Sequence, residues 1–374
     1  MKIGIFTLYG STNYGGALQA YALSQVLCQQ GHDVEIIRHV NDSAPISKLR
    51  KFFGILTSYP LSQFPALIKE FIRRKQQQNK DYHPSSKKEA FEKFYKDYLN
   101  FSPRLKRADL PAYISDFDVV ITGSDQVWTD VYSSYLPLFF EGLEAHSCKK
   151  LSYAACSAHS KAPLYNRNKL RKLINNLDGI SVRDTTTQKL INHLGRTKEV
   201  SIVCDPTILH PFEEALSKRD KGSYVLCYIL GGEPAEGHQQ YINRIRQAHE
   251  NLPIIAVSTP NPTIHSYVDT VLDSTGPLEW VDLIAHAACV YTDSFHAVLF
   301  SLKFHTPFIA FYSDPVRSSR LIALKKTYGL EKQIVNKLAQ AQVTEEINWS
   351  QIDQQISLLV TSSKRFLSTH IKKS

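Results

Sequence analysis

The sequence lacks the features that would tie it to a membrane, a disulfide framework or a zinc site. Its 374 residues contain no apolar run of about 18 residues, so no membrane-spanning helix is predicted. The amino-terminal MKIGIFTLYG has no apolar signal core followed by a small-residue cleavage site and is typical of a first strand. The six cysteines are scattered without a CxxC pair, which predicts reduced, mostly buried thiols and no structural zinc. These absences indicate a cytoplasmic protein.

Common nucleotide-binding and nucleic-acid-binding motifs are also missing. The loop YGSTNYGG, residues 9–16, is not a GxGxxG fingerprint and carries no P-loop lysine. No nucleic-acid-binding module is present, so nucleic acid is not an expected partner. Hydrophobic content of 43% and charged content of 21% are typical of a globular protein. The length suits two medium domains better than one core.

The positive charge of the chain is concentrated in one segment. Fifteen Lys and Arg stand against five Asp and Glu between Lys48 and Arg107, whereas the whole chain carries a net charge of +9. Two interpretations of this basic segment, residues 45–107, stay open: a pair of solvated helices, or a surface for an anionic partner. The second predicts peripheral contact with the anionic inner face of the cell membrane or with a lipid-diphosphate acceptor.

The apolar segments alternate between strand and helix patterns. MKIGIFTL, VEIIRHV, FDVVITG, LSYAACS and GISVRD are typical of buried strands, and the helical run ALQAYALSQVLCQQ follows the first. A second series of the same kind runs from YVLCYIL to TPFIAFY. The pattern predicts an α/β fold of two Rossmann-like domains that face each other across a cleft. Ligands are expected where the parallel strands end.

Pro206 and Pro211 mark the expected domain boundary at VCDPTILH, residues 203–210. The predicted N-terminal domain covers residues 1–208 and the C-terminal domain residues 209–345. Residues 346–374 predict an amphipathic helix that packs back across both domains. Its apolar side holds Ile352, Ile356, Leu359 and Val360.

Two polar loops follow predicted strands of the N-terminal domain. The first holds Asn13, Tyr14, Gly15 and Gly16. Glycines let a backbone approach a ligand and helix-start amides favour anions, but a structural turn is the alternative. The second loop holds Asp125, Gln126 and Trp128. These side chains can hydrogen-bond hydroxyls and stack on a sugar ring, but an Asp-capped helix with a packed tryptophan is the alternative.

Charged residues that could bind an anion lie at two further places. Arg183 ends the strand GISVRD, where its fork could hold a carboxylate or phosphate; an Arg–Asp pair across the domain boundary is the alternative. The loop DPVRSSR carries Arg317 and Arg320, which could clamp a phosphate, against the alternative of a solvated loop.

A polar cluster interrupts two apolar runs in VYTDSFHAVLFSLKFHTPFIAF, residues 290–311. CVYTD predicts a strand and FHAVLFSLKF a helix, with Asp293 or Ser294 as the N-cap. His296 then falls in the first helical turn, where free backbone amides favour an anionic ligand. The cluster therefore predicts a reaction centre, against the alternative of a capped helix with a satisfied core histidine.

Taken together, the motifs resemble the polysaccharide pyruvyl transferase family. The matching pieces are STNYGGALQAYAL, DVVITGSDQVW, SVRD, DPTIL, GPLEWVDLIAHAACVYTDSFHAVLFSLKFHTPFIAF and RSSR. The resemblance implies two Rossmann-like domains in a GT-B-like arrangement, with the acceptor on the N-terminal domain and the donor on the C-terminal domain. It implies transfer of a carboxyethylidene group from phosphoenolpyruvate to two hydroxyls of a sugar. The acceptor would belong to a capsule, exopolysaccharide or cell-wall polymer, or to its lipid-linked precursor.

The resemblance also implies roles for individual residues. His296 would protonate the methylene carbon of phosphoenolpyruvate, and Arg183 would hold the carboxylate or phosphate of the donor. The loop of residues 11–19 and the segment Asp125–Trp128 would face the sugar, and no metal or cofactor would be needed. Some members of the family carry Arg two positions before this histidine, where this chain has Ser294. Either Arg317 or Arg320 would then supply the missing cation, or the donor is held differently.

Two other classes of function are open from the sequence. One is a sugar-nucleotide-dependent glycosyltransferase on the same fold. The other is a non-catalytic glycan-binding protein.

Overall fold

The computed structural model describes residues 1–40, 47, 64–65, 84–231, 234, 236–260, 262–312, 319–342 and 346–372. Most of the basic segment and Arg317 therefore lie outside the described residues, as do the predictions made for them. No helix within the described ranges is both long and apolar enough to cross a membrane. All six cysteines are free thiols and five of them are buried, which agrees with the prediction of mostly buried thiols.

The N-terminal domain is built on a seven-stranded parallel sheet. Its strands are β1 Lys2–Phe6, β2 Asp33–His39, β3 Phe101–Leu105, β4 Val119–Asp125, β5 Lys149–Ala155, β6 Gly179–Val182 and β7 Val200–Ile202. The spatial order is β3-β2-β1-β4-β5-β6-β7. The chain moves outward on one side of β1 and then on the other, so the strand order reverses between β1 and β4. Ligands bind at such reversal points in open α/β sheets.

Helices cover both faces of this sheet. They are α1 Tyr14–Gln29, α2 Ser85–Tyr98, α3 Leu110–Ile114, α4 Leu164–Asn175, α5 Thr185–His193 and the short α6 Pro206–Leu209. Helix α1 begins at Asn13, whose side chain accepts a hydrogen bond from the backbone N–H of Gly16 at 3.2 Å. Its first eleven residues are buried on all sides, since α1 lies between the sheet and the second domain.

The C-terminal domain repeats the architecture with a six-stranded parallel sheet. Its strands are β8 Val225–Tyr228, β9 Ile254–Val257, β10 Thr270–Leu272, β11 Cys289–Thr292, β12 Phe308–Phe311 and β13 Ile334–Val335. The order is β10-β9-β8-β11-β12-β13. Its helices are α7 His238–Ala248, α8 Pro277–His286, α9 Phe295–Lys303 and α10 Ser319–Tyr328. Two doubly wound α/β domains are therefore present, as predicted.

The last helix, α11 Trp349–His370, joins the two domains. Near its start, Asp353 accepts a hydrogen bond from His305 at 2.8 Å. Near its end, the Ser363 hydroxyl accepts one from the backbone N–H of Cys204 at 3.0 Å. Ile352 is buried, and Ile356, Leu359 and Val360 pack against the same core. The predicted packing of this helix across both domains is confirmed.

Contacts at the N-terminal end of α1 and from α2 also hold the two domains together. The Tyr14 ring stacks on Trp280 of α8 with centroids 5.0 Å apart, and its hydroxyl donates to the Thr275 carbonyl at 2.8 Å. From α2, the buried Lys87 ammonium donates to the Ser258 carbonyl of the C-terminal domain at 2.5 Å. One continuous hydrophobic cluster includes helix residues of both domains. These contacts fix how the strand ends of one sheet face those of the other.

Candidate active site

Charged residues from both domains meet where the strands end. Asp125 ends β4, Arg183 follows β6, and Asp205 follows β7 by three residues. From the C-terminal domain, His296 projects from the start of α9 and Arg320 from the start of α10. The carboxyl ends of the parallel strands thus bring together three residues of the N-terminal domain and two of the C-terminal domain. Four of the five, all except Asp205, were predicted from the sequence.

Ser294 is the N-cap residue of helix α9. The Ser294 hydroxyl accepts from the backbone N–H of Ala297 at 3.4 Å, and its own N–H donates to Thr292 Oγ1 at 3.0 Å. This cap satisfies one of the free amides of the first turn and fixes the direction in which α9 leaves the strand. His296 is the second residue of the helix and its side chain is 7% exposed.

The imidazole of His296 lies between Gly15 of the N-terminal domain and Asp205. A methyl carbon built on Gly15 would fall 2.0 Å from His296 Nδ1, so only glycine leaves room for the ring. At the far end of the ring, Nε2 lies 3.6 Å from Asp205 Oδ2. By contrast, a methyl carbon on Gly16 would meet nothing closer than 4.0 Å. Gly15 is thus required by tertiary packing, and Gly16 is not.

Arg183 is the central cation of the cluster. Its side chain is 4% exposed, and it donates from Nη1 to Asp205 at 2.5 Å and from Nη2 to Asp125 at 3.1 Å. The guanidinium carbon also lies 4.4 Å from the centre of the Phe295 ring. Burial lowers the pKa of Arg183, but the neighbouring Cys156, Asp205 and Asp125 raise it well above its usual range. The structure thus places Arg183 between two carboxylates of its own domain, so the Arg–Asp pairs do not cross the domain boundary as the alternative interpretation expected.

Asp205 is held by more groups than any other carboxylate of the cluster. Its Oδ1 accepts from the Thr207 N–H at 3.1 Å and the Thr207 hydroxyl at 2.8 Å. Its Oδ2 accepts from Arg183 and from the Ser124 hydroxyl at 3.2 Å. Burial raises the pKa of the Asp205 carboxyl, but the contact with His296 and the charge of Arg183 outweigh burial and hold the pKa well below its usual range. Asp205 is therefore an ionised carboxylate with a fixed orientation.

Asp125 and Arg320 form the more open side of the cluster. Arg320 Nη1 lies 3.3 Å from Asp125 Oδ1, and the Arg320 side chain is 27% exposed. The Arg320 guanidinium carbon lies 5.4 Å from the centre of the Phe295 ring. Burial raises the pKa of Asp125, but Arg183 and Arg320 together lower it below its ordinary value. Arg320 is therefore better placed than Arg183 to contact an incoming anion.

Two residues predicted to contact the acceptor belong to the packed interior instead. Trp128 is 0% exposed; it stacks on Phe139 at 5.3 Å, and its Nε1 donates to the Leu138 carbonyl at 3.0 Å. Tyr14 is also 0% exposed and is stacked on Trp280. Neither offers a ring face to a sugar, which corrects both predictions. Asn13 caps α1, and Gln126 is partly buried in the loop after β4.

The main residue that the sequence did not single out is Asp205. It stands in VCDPTILH, which was predicted to be a domain boundary because of Pro206 and the following Pro211. An acidic residue soon after a strand was the signal that marked Asp125, but the short strand β7 before Asp205 was not predicted. Ser124, which donates to Asp205, was likewise overlooked.

Comparisons with known proteins agree with this architecture. Arabidopsis thaliana UGT89C1 complexed with UDP-L-rhamnose is 11% identical at a TM-score of 0.52, covering 98% of this chain and 97% of that chain. A protein described as a UDP-N-acetylglucosamine 2-epimerase from Listeria monocytogenes is 10% identical at a TM-score of 0.50, covering 98% and 89%. At these identities the likeness shows the fold alone, a GT-B arrangement of two Rossmann-like domains.

The family assignment comes from sequence. No curated protein matches the chain significantly. The sequence model described as polysaccharide pyruvyl transferase matches residues 13–315, a range that includes Gly15, Asp125, Arg183, Asp205 and His296. Because the match extends over most of both domains, the chain belongs to the polysaccharide pyruvyl transferase family and is a transferase.

Proposed function

We propose that this protein transfers a carboxyethylidene group from phosphoenolpyruvate to two hydroxyls of a sugar. The acceptor sugar would belong to a surface polysaccharide or its lipid-linked precursor. The observation that carries the proposal is His296 at the start of α9, beside two arginines and within the range matched by the family. A proton donor next to cations suits a donor substrate that carries both a carboxylate and a phosphate.

In the proposed reaction the His296 imidazolium gives its proton to the methylene carbon of phosphoenolpyruvate. The adjacent carbon becomes an oxocarbenium-like centre, and a first sugar hydroxyl forms a C–O bond to it. A second hydroxyl of the same sugar forms the second C–O bond, while the bond to phosphate breaks and its electron pair leaves with the phosphate. Of the two hydroxyl protons released, one restores the imidazolium and the other goes to phosphate. A positioned acid of this kind contributes about 10²–10⁴-fold.

The cations have separate tasks in this proposal. Arg320 is partly exposed and would bind the carboxylate or phosphate of the donor, with Arg317 as a second candidate from the undescribed loop. Arg183 is buried and paired with two carboxylates, so its positive charge would act on the donor without direct contact. Ser294 would contribute through the N-terminal turn of α9, since its hydroxyl already serves as the cap.

The acceptor would approach from the N-terminal domain, past Asp125, Gln126 and the loop that ends at Asn13. Two carboxylates in the cluster have lowered pKa values and are weak bases, so they suit hydrogen bonding to hydroxyls better than proton removal. Contact of the basic segment with an anionic membrane or a lipid diphosphate remains part of the proposal. It would bring a lipid-linked acceptor to the cleft.

Incubation with phosphoenolpyruvate and a panel of galactose, glucose, mannose and N-acetylated sugar acceptors tests this function. Phosphate release with the mass gain of a ketal supports it, and activity that survives in His296→Ala refutes the acid role. Thermal unfolding with the donor alone separates the competing class. Stabilisation by phosphoenolpyruvate supports pyruvyl transfer, whereas stabilisation by a sugar nucleotide alone supports a glycosyltransferase.

A further inference from the structure

A carboxylate of one domain lies beside the histidine of the other. Asp205 belongs to the segment after β7, and His296 belongs to α9. Their closest atoms, Asp205 Oδ2 and His296 Nε2, are 3.6 Å apart, longer than the roughly 3 Å of a hydrogen bond. Nε2 is buried and has no hydrogen-bond partner among the described residues. A buried donor nitrogen that faces an ionised carboxylate indicates a contact that tightens when the ring is charged.

The carboxylate is held rigidly from its own side. Thr207 fixes Oδ1 with two hydrogen bonds, and Ser124 and Arg183 fix Oδ2. The orientation of Asp205 therefore does not depend on His296. The histidine, in contrast, has Gly15 against the face of its ring beside Nδ1, and Asp205 beside Nε2.

We propose that Asp205 is the positioning residue of His296: it holds the Nε2 edge of the ring and stabilises the imidazolium, leaving Nδ1 to exchange the proton with substrate. The substrate named here rests on the proposed function, but the Asp205–His296 relation does not. A neutral ring with its hydrogen on Nε2 keeps the lone pair of Nδ1 free to accept the proton released by a sugar hydroxyl.

The other charged groups around the ring do not replace this contact. Asp125 also acts electrostatically on His296, but it is paired with Arg183 and Arg320. The positive guanidiniums of Arg183 and Arg320 disfavour a positive imidazolium at His296, so their effect is opposite in sign to that of Asp205. Among the described residues, Asp205 is the carboxylate within 4 Å of the ring, and its loss cannot be offset by the remaining cluster.

The first test uses the wild-type protein and needs no substrate. Nitrogen-15 and carbon-13 NMR of labelled histidine, with the His296 signals identified by their absence in His296→Ala, reports the tautomer of the neutral ring. The expected result is a hydrogen on Nε2. A neutral ring with its hydrogen on Nδ1 overturns the proposal, and this result does not depend on any variant folding.

The second test is Asp205→Asn, which keeps the shape and removes the charge. The expected result is a fall in kcat of about 10²-fold, the lower end of what a general acid contributes. The basic limb of the pH–rate profile should move to lower pH, because the imidazolium has lost its counter-charge. At fixed neutral pH, the His296 ring signals should move toward those of neutral imidazole. Asp205→Glu keeps the charge and should restore most of the wild-type profile.

Asp282→Asn is the matched control. Asp282 is likewise buried, and it accepts hydrogen bonds from Ser217 at 2.7 and 2.9 Å, but it lies on α8. The control should keep the wild-type pH profile and His296 signals. A folded Asp205→Asn protein with the same profile and signals as wild type overturns the proposal. If the wild type shows no pyruvyl transfer, the proposed function fails while the NMR results still decide the role of Asp205.

Discussion

The close approach of His296 to Gly15 predicts that Gly15→Ala disables the protein while Gly16→Ala does not. The added methyl carbon would lie 2.0 Å from His296 Nδ1, whereas optimal carbon contacts lie at about 3.5 Å. The imidazole or the helix must therefore move by about 1.5 Å. A displacement of about 1 Å between reacting groups can reduce a rate about 10²-fold, or about 2.7 kcal/mol in the barrier.

The neighbouring glycine provides the control for this change. Gly16 lies in the same turn of α1, and its added methyl carbon would have no neighbour closer than 4.0 Å. Alanine is favoured over glycine inside a helix by about 1 kcal/mol, so Gly16→Ala should match or exceed the wild type in thermal stability. Overpacking at Gly15 should instead lower the free energy of unfolding by about 1–3 kcal/mol.

The assay is phosphate release from phosphoenolpyruvate in the presence of an active acceptor, with thermal unfolding of both variants measured in parallel. The reasoning requires a much larger loss of kcat in Gly15→Ala than in Gly16→Ala. Equal activity in the two variants, or an equal fall in both, would refute it. The first result would mean that the ring has room, and the second that the helix turn itself, and not the histidine, is sensitive.

Three further predictions concern buried groups and the partly exposed arginine. Burial lowers the pKa of Lys87 to about 8 from its ordinary 10.5, so its share of the unfolding free energy should rise as pH increases through that window, by about 3 kcal/mol at most. In thermal melts from pH 7 to 10, the Lys87→Met variant should show a smaller rise in stability than the wild type. Some rise should remain in the variant, because burial also lowers the pKa of Lys303 to about 8. Trp128→Phe should lower thermal stability and leave the KM for the sugar unchanged, because the indole is fully buried; a raised KM alone would contradict this. Arg320→Gln should raise the KM for phosphoenolpyruvate about tenfold with little change in stability. Arg183→Gln, in contrast, leaves two carboxylates without their buried cation and should lower the free energy of unfolding by about 3–5 kcal/mol.

The sequence predicted most of the fold because the central strands are buried on both faces. The central residues of runs such as FDVVITG and CVYTD are consecutively buried and mostly apolar, which is the pattern of a parallel sheet covered by helices. The strands that it did not predict are the short edge strands of the two sheets: β3, with the sequence FSPRL, β7, β10 and β13. Edge strands need less apolar surface, so their pattern does not separate them from loops.

The site was predicted only where its residues end strands of the sheet or begin helices. His296, Arg183 and Asp125 were found in this way, because local sequence places them at the carboxyl edge. Tyr14 and Trp128 were assigned wrongly, because a loop sequence does not reveal which aromatic rings turn into the core. Asp205 was missed for a different reason: its importance arises from a histidine 91 positions later in the sequence. Only the docking of the two domains brings them together.

The same docking bears on Ser294, where the family resemblance led us to expect a cation. The Ser294 hydroxyl accepts from the Ala297 amide and the residue is 4% exposed, so it acts as a helix cap and brings no charge. Arg183 and Arg320 both approach the ring of Phe295, at 4.4 and 5.4 Å, one from each domain. A cation absent from the start of α9 can therefore be supplied by the start of α10, because both helices begin at the same edge of the second sheet. On this argument the charge beside His296 depends on where residues meet in space, and an arginine at position 294 is one of several ways to provide it.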